Sequence, residues 1–521
     1  MRSSLASHQL KSALIIVALF ALSTGIRLSY MSRPLGEGHE YLTAHTLRIQ
    51  QIWYEGGALN HKFLPIMTYD NPNDKNIKNQ GRIKDQEGNY YYVSYGPLAH
   101  MVPYLIFKAL HVYPDVTALQ IFGLAVHFSC CLLVYLIVSA LTRKNCRGRS
   151  NIPALMGLAV YLFSPVALWN HSNVYFSEMF VQVFFIAGVY VFLRLMTASH
   201  KGIYYALLGL SVFLMIFTEW LGAFFSLTLL IYCLFNFRKR SMRIVFGVVS
   251  VSSLVALALL LWHYSQIAGV QSLMRTLSEK YLERSGVFQK IHPGQNIWDL
   301  TAWQAITNYY ILGYGGFFIN LIYIYFIKKC FVEESRNGRL ERILLFLCLW
   351  PVLMHHLVLW DFTTLHDFSV LKTGFLIALL TGLIYSKIDG YFFQKWGSGL
   401  SQVLRTGGLI LCFCFMTVLS VGGYLEANKD IVAGNFEAVG KEIARVADKG
   451  EVIFLKPERP GALILPQIVF YAHRNIALWK SKLDALKFLK RTGAKRGVLM
   501  AFNNRGQLVR EQHIKVDDGG G

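Results

Sequence analysis

The chain has 521 residues, of which 54% are hydrophobic and only 16% are charged, and its net charge is +21. Soluble domains usually carry about 25% charged residues, so this composition argues against a soluble globular protein. The positive charge does not indicate nucleic-acid binding, because the basic residues are concentrated in short gaps between apolar runs. That distribution is typical of the cytoplasmic loops of membrane proteins.

The apolar runs predict the number of membrane spans. A run of about 17–25 apolar residues suits a transmembrane helix. Such runs lie at 12–30, 117–140, 152–168, 174–193, 203–218, 220–236, 244–263, 306–327, 343–359, 369–386 and 404–424. No small-x-small cleavage site follows the first run, so we do not expect a cleaved signal peptide. The sequence therefore predicts an α-helical polytopic membrane protein with about eleven transmembrane helices.

The charges of the loops predict the orientation of these spans. If the N-terminus is inside, the loops at 143–149, 194–201, 238–243, 328–342 and 387–405 are cytoplasmic, and all of them are basic. This agrees with the positive-inside rule. We expect a multi-pass protein of the bacterial inner membrane, with its polar mass and active site on the outer face. The cysteines fall in spans or on the cytoplasmic side, so no outer disulfide is expected.

Two outer segments have their own predicted structure. In the outer loop 32–115, the apolar spacing of Tyr41–Tyr54 and Pro97–Val112 predicts two interfacial helices. The outer loop from Tyr264 to Gln304 is an exception to the charge rule, because it contains Arg275, Lys280 and Arg284. Such a loop is either solvated surface or a site that attracts a lipid phosphate or an anionic acceptor.

The tail changes character after Tyr424, where charges become frequent and apolar runs become short. Helices are predicted at Glu437–Ala447 and Lys482–Arg491, and strands at Val452–Leu455, Gln467–Ala472 and Gly497–Phe502. This alternation predicts a small α/β domain. We therefore divide the chain into a membrane module, 1–424, and an outer-face domain, 425–521.

Acidic residues at the ends of predicted spans are the candidates for chemistry. Ionisable residues at these positions are costly and are functional candidates by default. Glu37 and Glu40 follow the first span, and Glu178 and Glu219 lie at later outer turns. A carboxylate can act as a general base for a hydroxyl or amine nucleophile. Nearby cations such as Lys372 can stabilise an anionic leaving group.

These motifs resemble the GT-C type glycosyltransferases of the protein O-mannosyltransferase and aminoarabinose-transferase group. Members of that group have Asp-Glu-x-x-Tyr after the first span, and the matching residues here are Glu37-Gly38-His39-Glu40-Tyr41, with Gly38 in the second acidic position. The Pro-Pro-Leu of the group corresponds to Gly96-Pro97-Leu98. Its proline with a downstream acid corresponds to Ser164-Pro165 with Glu178. A late basic and aromatic stretch corresponds to His366–Lys372. The resemblance covers about residues 10–390 and depends mostly on topology and motif order.

The resemblance implies transfer of a sugar from a polyprenyl-phosphate donor, with inversion at the anomeric carbon. Glu37 is the implied general base, with Glu40 and Glu178 as supporting acids. The donor-phosphate candidates are Lys372, His366, Arg275, Lys280 and Arg284. The acceptor or cavity candidates are Tyr41, Tyr95, Pro97, His171 and Glu219. The acceptor is a glycan, a lipid or a protein. No cofactor or metal is expected, although a divalent cation is left open.

Alternatives remain at this point. The main rival is a transporter or flippase of a lipid-linked sugar, although such proteins often contain internal repeats and none is evident here. An oligosaccharyltransferase-like enzyme would require a divalent metal. Individual residues also have structural explanations: Glu37 and Glu40 could be solvated at a helix end, and Lys372 could extend to the membrane surface. The adjacent pair His355–His356 favours an interfacial position over a metal site.

Overall fold

The structure, a computed structural model, describes residues 2–78, 81–142, 151–286, 297–319, 336–396, 400–429, 435–456, 465–503 and 505–516. Its helices are α1 (Arg2–Arg27), α2 (Tyr41–Gly56), α3 (Leu98–Ala109), α4 (Val116–Thr142), α5 (Ile152–Phe163), α6 (Pro165–Asn170), α7 (Ser177–Thr197), α8 (Gly202–Ile216), α9 (Leu221–Phe235), α10 (Arg240–Ser285), α11 (Leu300–Tyr314), α12 (Arg336–Val358), α13 (Trp360–Leu365), α14 (Gly374–Trp396), α15 (Leu400–Asn428), α16 (Phe436–Val446), α17 (Pro466–Ala472) and α18 (Lys482–Thr492). Short 3₁₀ helices lie at Leu28–Tyr30, Gly315–Phe318 and Asp367–Thr373.

The described residues include seven helices that are long and apolar enough to cross a membrane. These are α1, α4, α7, α10, α12, α14 and α15, where α1 and α14 each include an adjoining 3₁₀ turn. The shorter helices α3, α5, α8 and α9 are also apolar. The predicted helical, polytopic membrane architecture is therefore confirmed. The basic loop at 143–149, residues 328–335 of the predicted loop 328–342, and residues 320–327 of the eighth predicted span lie outside the described residues.

Two predicted boundaries differ from the structure. The predicted span 152–168 is divided into α5 and α6, because Ser164 is extended and Pro165 begins a new helix. Proline is well tolerated in the first turn of a helix but not in its interior. The predicted outer loop from Tyr264 is largely helical, since α10 continues to Ser285 after a break at Ala268–Gly269. This extension carries the basic residues of that segment on a helix.

Helix α14 lies at the centre of the bundle. All of its most apolar stretch is buried, and it packs against α4, α5, α12 and α15. Helix α10 is at the edge, with only 17% of its apolar stretch buried and with Val251, Leu254 and Trp262 exposed. A helix that is apolar all round belongs in a core or faces lipid. The bundle thus has one protein-enclosed helix and an apolar outer surface suited to a bilayer.

The C-terminal unit is a four-stranded mixed sheet with helices. Its strands are β3 (Val452–Leu455), β4 (Ile476–Leu478), β5 (Arg496–Phe502) and β6 (Leu508–Lys515), in the order β4-β3-β5-β6. Strands β4, β3 and β5 are parallel, and β6 is antiparallel to β5. Because side chains alternate along a strand, Ile453 and Leu455 face one apolar core while Val452 and Phe454 face another.

The predictions for this unit were partly correct. Both predicted helices and the strands at 452–455 and 497–502 are confirmed. The predicted strand Gln467–Ala472 is wrong, because Pro466 starts the short helix α17 there. Strands β4 and β6 were missed. The three residues of β4 are too few to show a clear alternation.

The outer loop and the C-terminal unit form one polar layer, which we define as residues 32–115 and 435–516. Within it β1 (Ile83–Lys84) pairs with β2 (Tyr90–Tyr91), and α17 packs on α2. The apolar core that contains Ile453 also contains Ile49 and Trp53 of α2. Ala44 and Leu47 of α2 instead join the core of the bundle. Helix α2 is therefore enclosed between bundle and C-terminal unit, not laid on a membrane surface as predicted, whereas α3 exposes Leu105, Ile106 and Leu110.

Candidate functional site

The turn at 37–40 has an unusual backbone. Gly38 and His39 both have left-handed conformations, with φ of 68° and 69°. This region favours glycine and, among other residues, is enriched in Asn, Asp and His. The Nε1 atom of Trp169 donates to the Gly38 carbonyl at 2.9 Å. Gly38, which stands at the position of the second acid in the related motif, suits this left-handed backbone.

Glu40 is buried in this turn and already has strong partners. Its carboxylate accepts two hydrogen bonds from Arg33, at 2.6 and 3.2 Å, and one from the Gly36 N–H at 2.5 Å. Burial raises the pKa of Glu40, and the charge of Arg33 opposes that shift. The C-terminal unit holds the same segment, since Gln467 donates to the Gly36 carbonyl at 2.9 Å. Glu40 thus fixes the shape of the turn.

Glu37 differs from Glu40, because its side chain is exposed. The next side chain in the turn, His39, lies 2.8 Å from Asp367 through Nε2 and Oδ1. Its ring contacts Phe368 edge-on, with centroids 4.9 Å apart. These contacts fix the turn against the segment that connects α13 to α14. The carboxylate of Glu37 is left free to meet a solute.

A pocket of about 230 Å³ lies where α2, α7, α10 and the segment after α13 meet, and we call it the Tyr95 pocket. Six predicted site residues line it: Tyr41, Tyr95, Glu178, Lys280, Arg284 and His366. They come from five separate parts of the chain. The structure therefore brings together about half of the predicted site.

Tyr95, Glu178 and Arg284 interact in this pocket. The Tyr95 hydroxyl donates to Glu178 Oε1. The Arg284 guanidinium lies 4.6 Å from the Tyr95 ring centroid and 4.8 Å from that of Phe362. Stacking on aromatic faces holds a guanidinium without using its N–H donors. Among the described residues Nη1 of Arg284 has no hydrogen-bond partner, so it can donate to an anion.

The predicted phosphate ligand His366 is also in the Tyr95 pocket. Burial lowers its pKa to about 3, and the nearby charge of His39 acts in the same direction. His366 is therefore a neutral imidazole near pH 7. It can donate or accept a hydrogen bond there, but it does not add to the positive charge.

A buried ionic cluster lies next to the pocket. Glu219 Oε1 is 3.1 Å from Nε2 of His355 and 3.9 Å from Nζ of Lys372, and all three side chains are inaccessible to solvent. Oε2 of Glu219 accepts from the Leu221 N–H at 2.6 Å. Glu178 is within electrostatic range of both Lys372 and Glu219. In the part of the chain that the structure describes, Nζ of Lys372 has no hydrogen bond.

An unsatisfied buried ammonium is costly. The N–H donors of Lys372 make no hydrogen bond to any described residue. The one carboxylate at ion-pair distance from Lys372 in the described residues is that of Glu219, which also contacts His355. The complete burial of Lys372 excludes the alternative in which its charge reaches the membrane surface. An anion that entered beside it would gain the free donors.

A narrow apolar cleft of about 130 Å³ begins at Tyr95. Its walls are the ends of α8 and α9, with Trp220, and leucines of α10. Tyr95 lines both this cleft and the Tyr95 pocket. The Tyr264 hydroxyl fixes the Tyr95 carbonyl at 2.6 Å. A Cβ on Gly96 would lie 1.9 Å from the Phe217 carbonyl oxygen, so only glycine permits this close approach. Pro97 follows as the N-cap of α3.

Three predicted residues lie elsewhere. Arg275 is 82% exposed and pairs with Glu279 at 2.9 Å, so it does not line the Tyr95 pocket. His171 is buried and stacks on His127, with ring centroids 4.3 Å apart. Pro97 is the N-cap of α3 and has a structural position. The spacing of these three residues in the sequence does not indicate where their side chains lie in the structure.

The prediction missed the partners that organise the site. Arg33 was not among the predicted site residues, although it lies only seven residues before its partner Glu40. His355 was expected at the membrane interface, but it is buried against Glu219, 136 residues away in the chain. No local signal indicates such a pairing. Among the described residues, no group of three or more His, Cys, Asp or Glu side chains is arranged to hold a metal ion.

The fold is similar to that of solved membrane proteins. The oligosaccharyltransferase AglB of Archaeoglobus fulgidus, in complex with an inhibitory peptide and a dolichol-phosphate, matches with a TM-score of 0.56 at 10% identity, over 94% of this chain and 69% of AglB. ArnT of Cupriavidus metallidurans in the apo state matches with a TM-score of 0.57 at 10% identity, over 95% and 93% of the two chains. ArnT bound to undecaprenyl phosphate gives 0.55 at 9% identity, over 94% and 93%.

The comparison of structures finds similar proteins, whereas the two comparisons of sequence find none. No protein-family model matches the chain, and no curated protein matches it. At identities near 10% the structural similarity establishes the fold, over almost the whole chain. The chain is a multi-pass integral membrane protein with the GT-C fold that AglB and ArnT share.

Proposed function

We propose that this protein is a membrane glycosyltransferase that moves a sugar from a polyprenyl-phosphate donor to an acceptor on the outer face of the bacterial inner membrane. The observation that carries the proposal is the meeting of an apolar cleft and a cation-lined pocket at Tyr95. An amphiphile with an anionic head and an apolar chain fits both at once. Dolichol-phosphate in the AglB structure and undecaprenyl phosphate in an ArnT structure are ligands of this kind.

The charges near Tyr95 suit the phosphate of such a donor. Arg284 and Lys280 line the pocket, and Lys372 is buried 3.9 Å from Glu219 and within electrostatic range of Glu178. Charge-assisted hydrogen bonds to phosphate are short and strong. Fixed cations in a water-poor site stabilise charge that develops on a leaving group. The chain of the lipid would lie along the leucines of α10, at the edge of the bundle.

The proposed reaction is a direct displacement. Glu37 accepts the proton of the acceptor hydroxyl or amine, whose electron pair attacks the anomeric carbon. The bond from that carbon to the phosphate oxygen breaks, and polyprenyl phosphate leaves with the electron pair. The configuration at the anomeric carbon inverts. Exposure of Glu37 supports this role, because a base must reach the proton that it removes.

The orientation of the bundle supports reaction on the outer face. Glu219 precedes α9 and Arg284 lies at the end of α10, so the site is at one end of these helices. The opposite ends of the same helices are connected by a segment with Arg238, Lys239, Arg240 and Arg243. Basic connections remain in the cytoplasm. The polar layer and the Tyr95 pocket are then outside.

Reconstituted protein can test this proposal. Purified protein in nanodiscs would be given a polyprenyl-phosphate sugar, and the release of polyprenyl phosphate would be measured by mass spectrometry with and without acceptor lipids and glycans. We expect acceptor-dependent release. Movement of the intact donor across proteoliposome membranes, with no release under any condition, would instead identify a flippase.

A further inference from the structure

A second pocket, of about 660 Å³, lies between α2, the loop before β2 and the C-terminal unit, and we call it the Arg48 pocket. Four of its lining residues are basic: Arg48, Lys78, Arg82 and Arg491. None of the described residues that line it is acidic. Its other walls include Val469, Ile476, Leu478 and Phe488. A pocket with cations and apolar walls attracts anions more strongly than the same cations in water.

The basic side chains are held in place by the fold. Arg48 is almost completely buried on α2, which is itself enclosed by the C-terminal unit. The guanidinium of Arg491 stacks on Phe488 at 5.4 Å from the ring centroid. Arg82 pairs with Glu283 of α10 at 2.8 and 3.0 Å. Arg48 is the buried member of the set, and Lys78, Arg82 and Arg491 are exposed at the pocket, so all four charges are arranged around one opening.

The Arg48 pocket adjoins the proposed reaction site. Arg82 lines both the Arg48 pocket and the Tyr95 pocket. On α2, Arg48 lines the first and its neighbour Ile49 lines the second. A molecule of two or three sugar units could therefore occupy both.

The other end of α2 lacks this excess of positive charge. A cleft of about 1330 Å³ there is lined by five acids, Glu55, Asp70, Asp74, Asp85 and Glu87, and by four basic residues, Lys62, Lys84, Lys449 and Arg474. An anionic molecule that approaches the polar layer is thus favoured at the Arg48 pocket over this cleft.

We infer that the acceptor is a glycan with an anionic group, a phosphate or a carboxylate, and that this group binds in the Arg48 pocket while the hydroxyl or amine to be glycosylated enters the Tyr95 pocket. This inference rests on the proposed function and specifies its acceptor class. Both anions use the same contacts, because guanidinium groups form paired hydrogen bonds with phosphate and with carboxylate. The polar layer thereby selects the acceptor.

The test measures binding to the full-length protein in nanodiscs by isothermal titration calorimetry. The probes are a short oligosaccharide with a phosphomonoester, the same oligosaccharide with a uronic acid, its neutral form, and inorganic phosphate. The variant is Arg491→Gln. The matched control is Lys490→Gln, which removes the same charge from the preceding, exposed residue that does not line the pocket.

We expect both anionic oligosaccharides to bind more tightly than the neutral form, and Arg491→Gln to weaken their binding by about tenfold, the value of one charge-assisted contact. Lys490→Gln should bind them as the parent does. A difference between the phosphate and the uronic acid would identify the preferred source of the anion. Equal binding of charged and neutral probes, equal effects of the two variants, or binding of inorganic phosphate alone would overturn the inference.

A separate readout distinguishes the failure of this inference from failure of the proposed function. The release of polyprenyl phosphate from the donor is measured on the parent protein with the same oligosaccharides. Release that is equally fast with neutral and anionic acceptors contradicts the inference and leaves the transferase proposal standing. If the donor is never consumed, the transferase proposal fails, and the assignment of an acceptor fails with it.

Discussion

The turn at 37–40 and the cluster around Glu219 use glutamates in opposite ways. In the turn, Glu37 is exposed directly before the left-handed residues Gly38 and His39, and it is free to meet solutes. In the cluster, Glu219 is inaccessible and is surrounded by His355, Lys372 and a backbone N–H. A base must exchange protons with a substrate, whereas a buried carboxylate that is already paired can only shape the local field. From this comparison we propose that the turn transfers the proton and that the cluster stabilises charge.

The largest expected effect is at Glu37. Glu37→Gln keeps the shape of the side chain and removes its basicity, so transfer should fall by about 10²–10⁴-fold, the usual value of a general base. Donor binding should remain. Initial rates of transfer and equilibrium binding of the donor would be measured on the purified variant.

Glu87→Gln is a matched control, because Glu87 is another exposed glutamate of the polar layer. It should transfer sugar at the parent rate. If Glu37→Gln also transfers at the parent rate while Glu40→Gln is inactive, the base is Glu40 and the division of roles within the turn is reversed.

The cluster gives the next largest effect. Lys372→Met keeps the length of the side chain and removes its charge, so turnover should fall by about 10²–10³-fold, as for the loss of one preorganised donor to a developing anion. The loss should be mainly in kcat. Steady-state kinetics over a range of donor concentrations, together with the melting temperature, would check this.

An exposed lysine provides the comparison for this variant. Lys62 lies in the polar layer outside the Tyr95 pocket, and Lys62→Met should leave kcat unchanged. A Lys372→Met protein that melts earlier but turns over normally would assign Lys372 to structure alone.

The same contrast explains what could be predicted from the sequence. Most of the spans in the described residues, the helical structure of α2 and the strand β3 follow local patterns of apolar spacing, and their positions in the sequence were predicted closely. Glu37 and Glu178 were chosen as candidates because acids at the ends of spans are unusual. The pairing of Glu219 with His355 and Lys372 joins residues more than 130 positions apart, and no local pattern encodes it. The helix at Pro466 was mistaken for a strand because short apolar runs suit both structures.

Glu40 should affect stability more than chemistry. Glu40→Gln leaves Arg33 without its carboxylate, and hydrogen bonds to charged groups contribute about 1.5–3 kcal/mol. We expect a lower melting temperature and only a modest change in kcat. Thermal unfolding monitored by intrinsic fluorescence would measure this. The double variant Arg33→Gln/Glu40→Gln should recover part of the loss, because it leaves no unpaired buried charge. A double variant less stable than the sum of the single ones would argue against this pair.

The smallest effect is a pH dependence where the C-terminal unit meets the outer loop. Asp74 accepts hydrogen bonds from Asn475 at 2.6 Å and from Asn71 at 2.8 Å. Burial raises the pKa of Asp74 to about 7, although these bonds and the charge of Arg474 oppose the shift. Because the folded pKa is above the unfolded one, the protonated form is favoured by folding. Stability should therefore decrease as pH rises from about 4 to about 7.

Asp74→Asn cannot ionise, so its melting temperature should vary less with pH over that interval. Asp70→Asn, at a neighbouring exposed acid, should keep the slope of the parent protein. Melting temperatures at half-unit pH steps would compare the three proteins. If Asp74→Asn has the same slope as the parent, a different group is responsible for the pH dependence.

The central claim is that one amphiphile occupies the apolar cleft and the Tyr95 pocket together. A cryo-electron-microscopy map of the protein with polyprenyl phosphate in nanodiscs tests it most directly. We predict density for the phosphate within hydrogen-bonding distance of Arg284, close to Lys372, and density for the lipid chain along the leucines of α10 beside Trp220. A lipid head bound outside the Tyr95 pocket, with the cleft empty, would contradict the account.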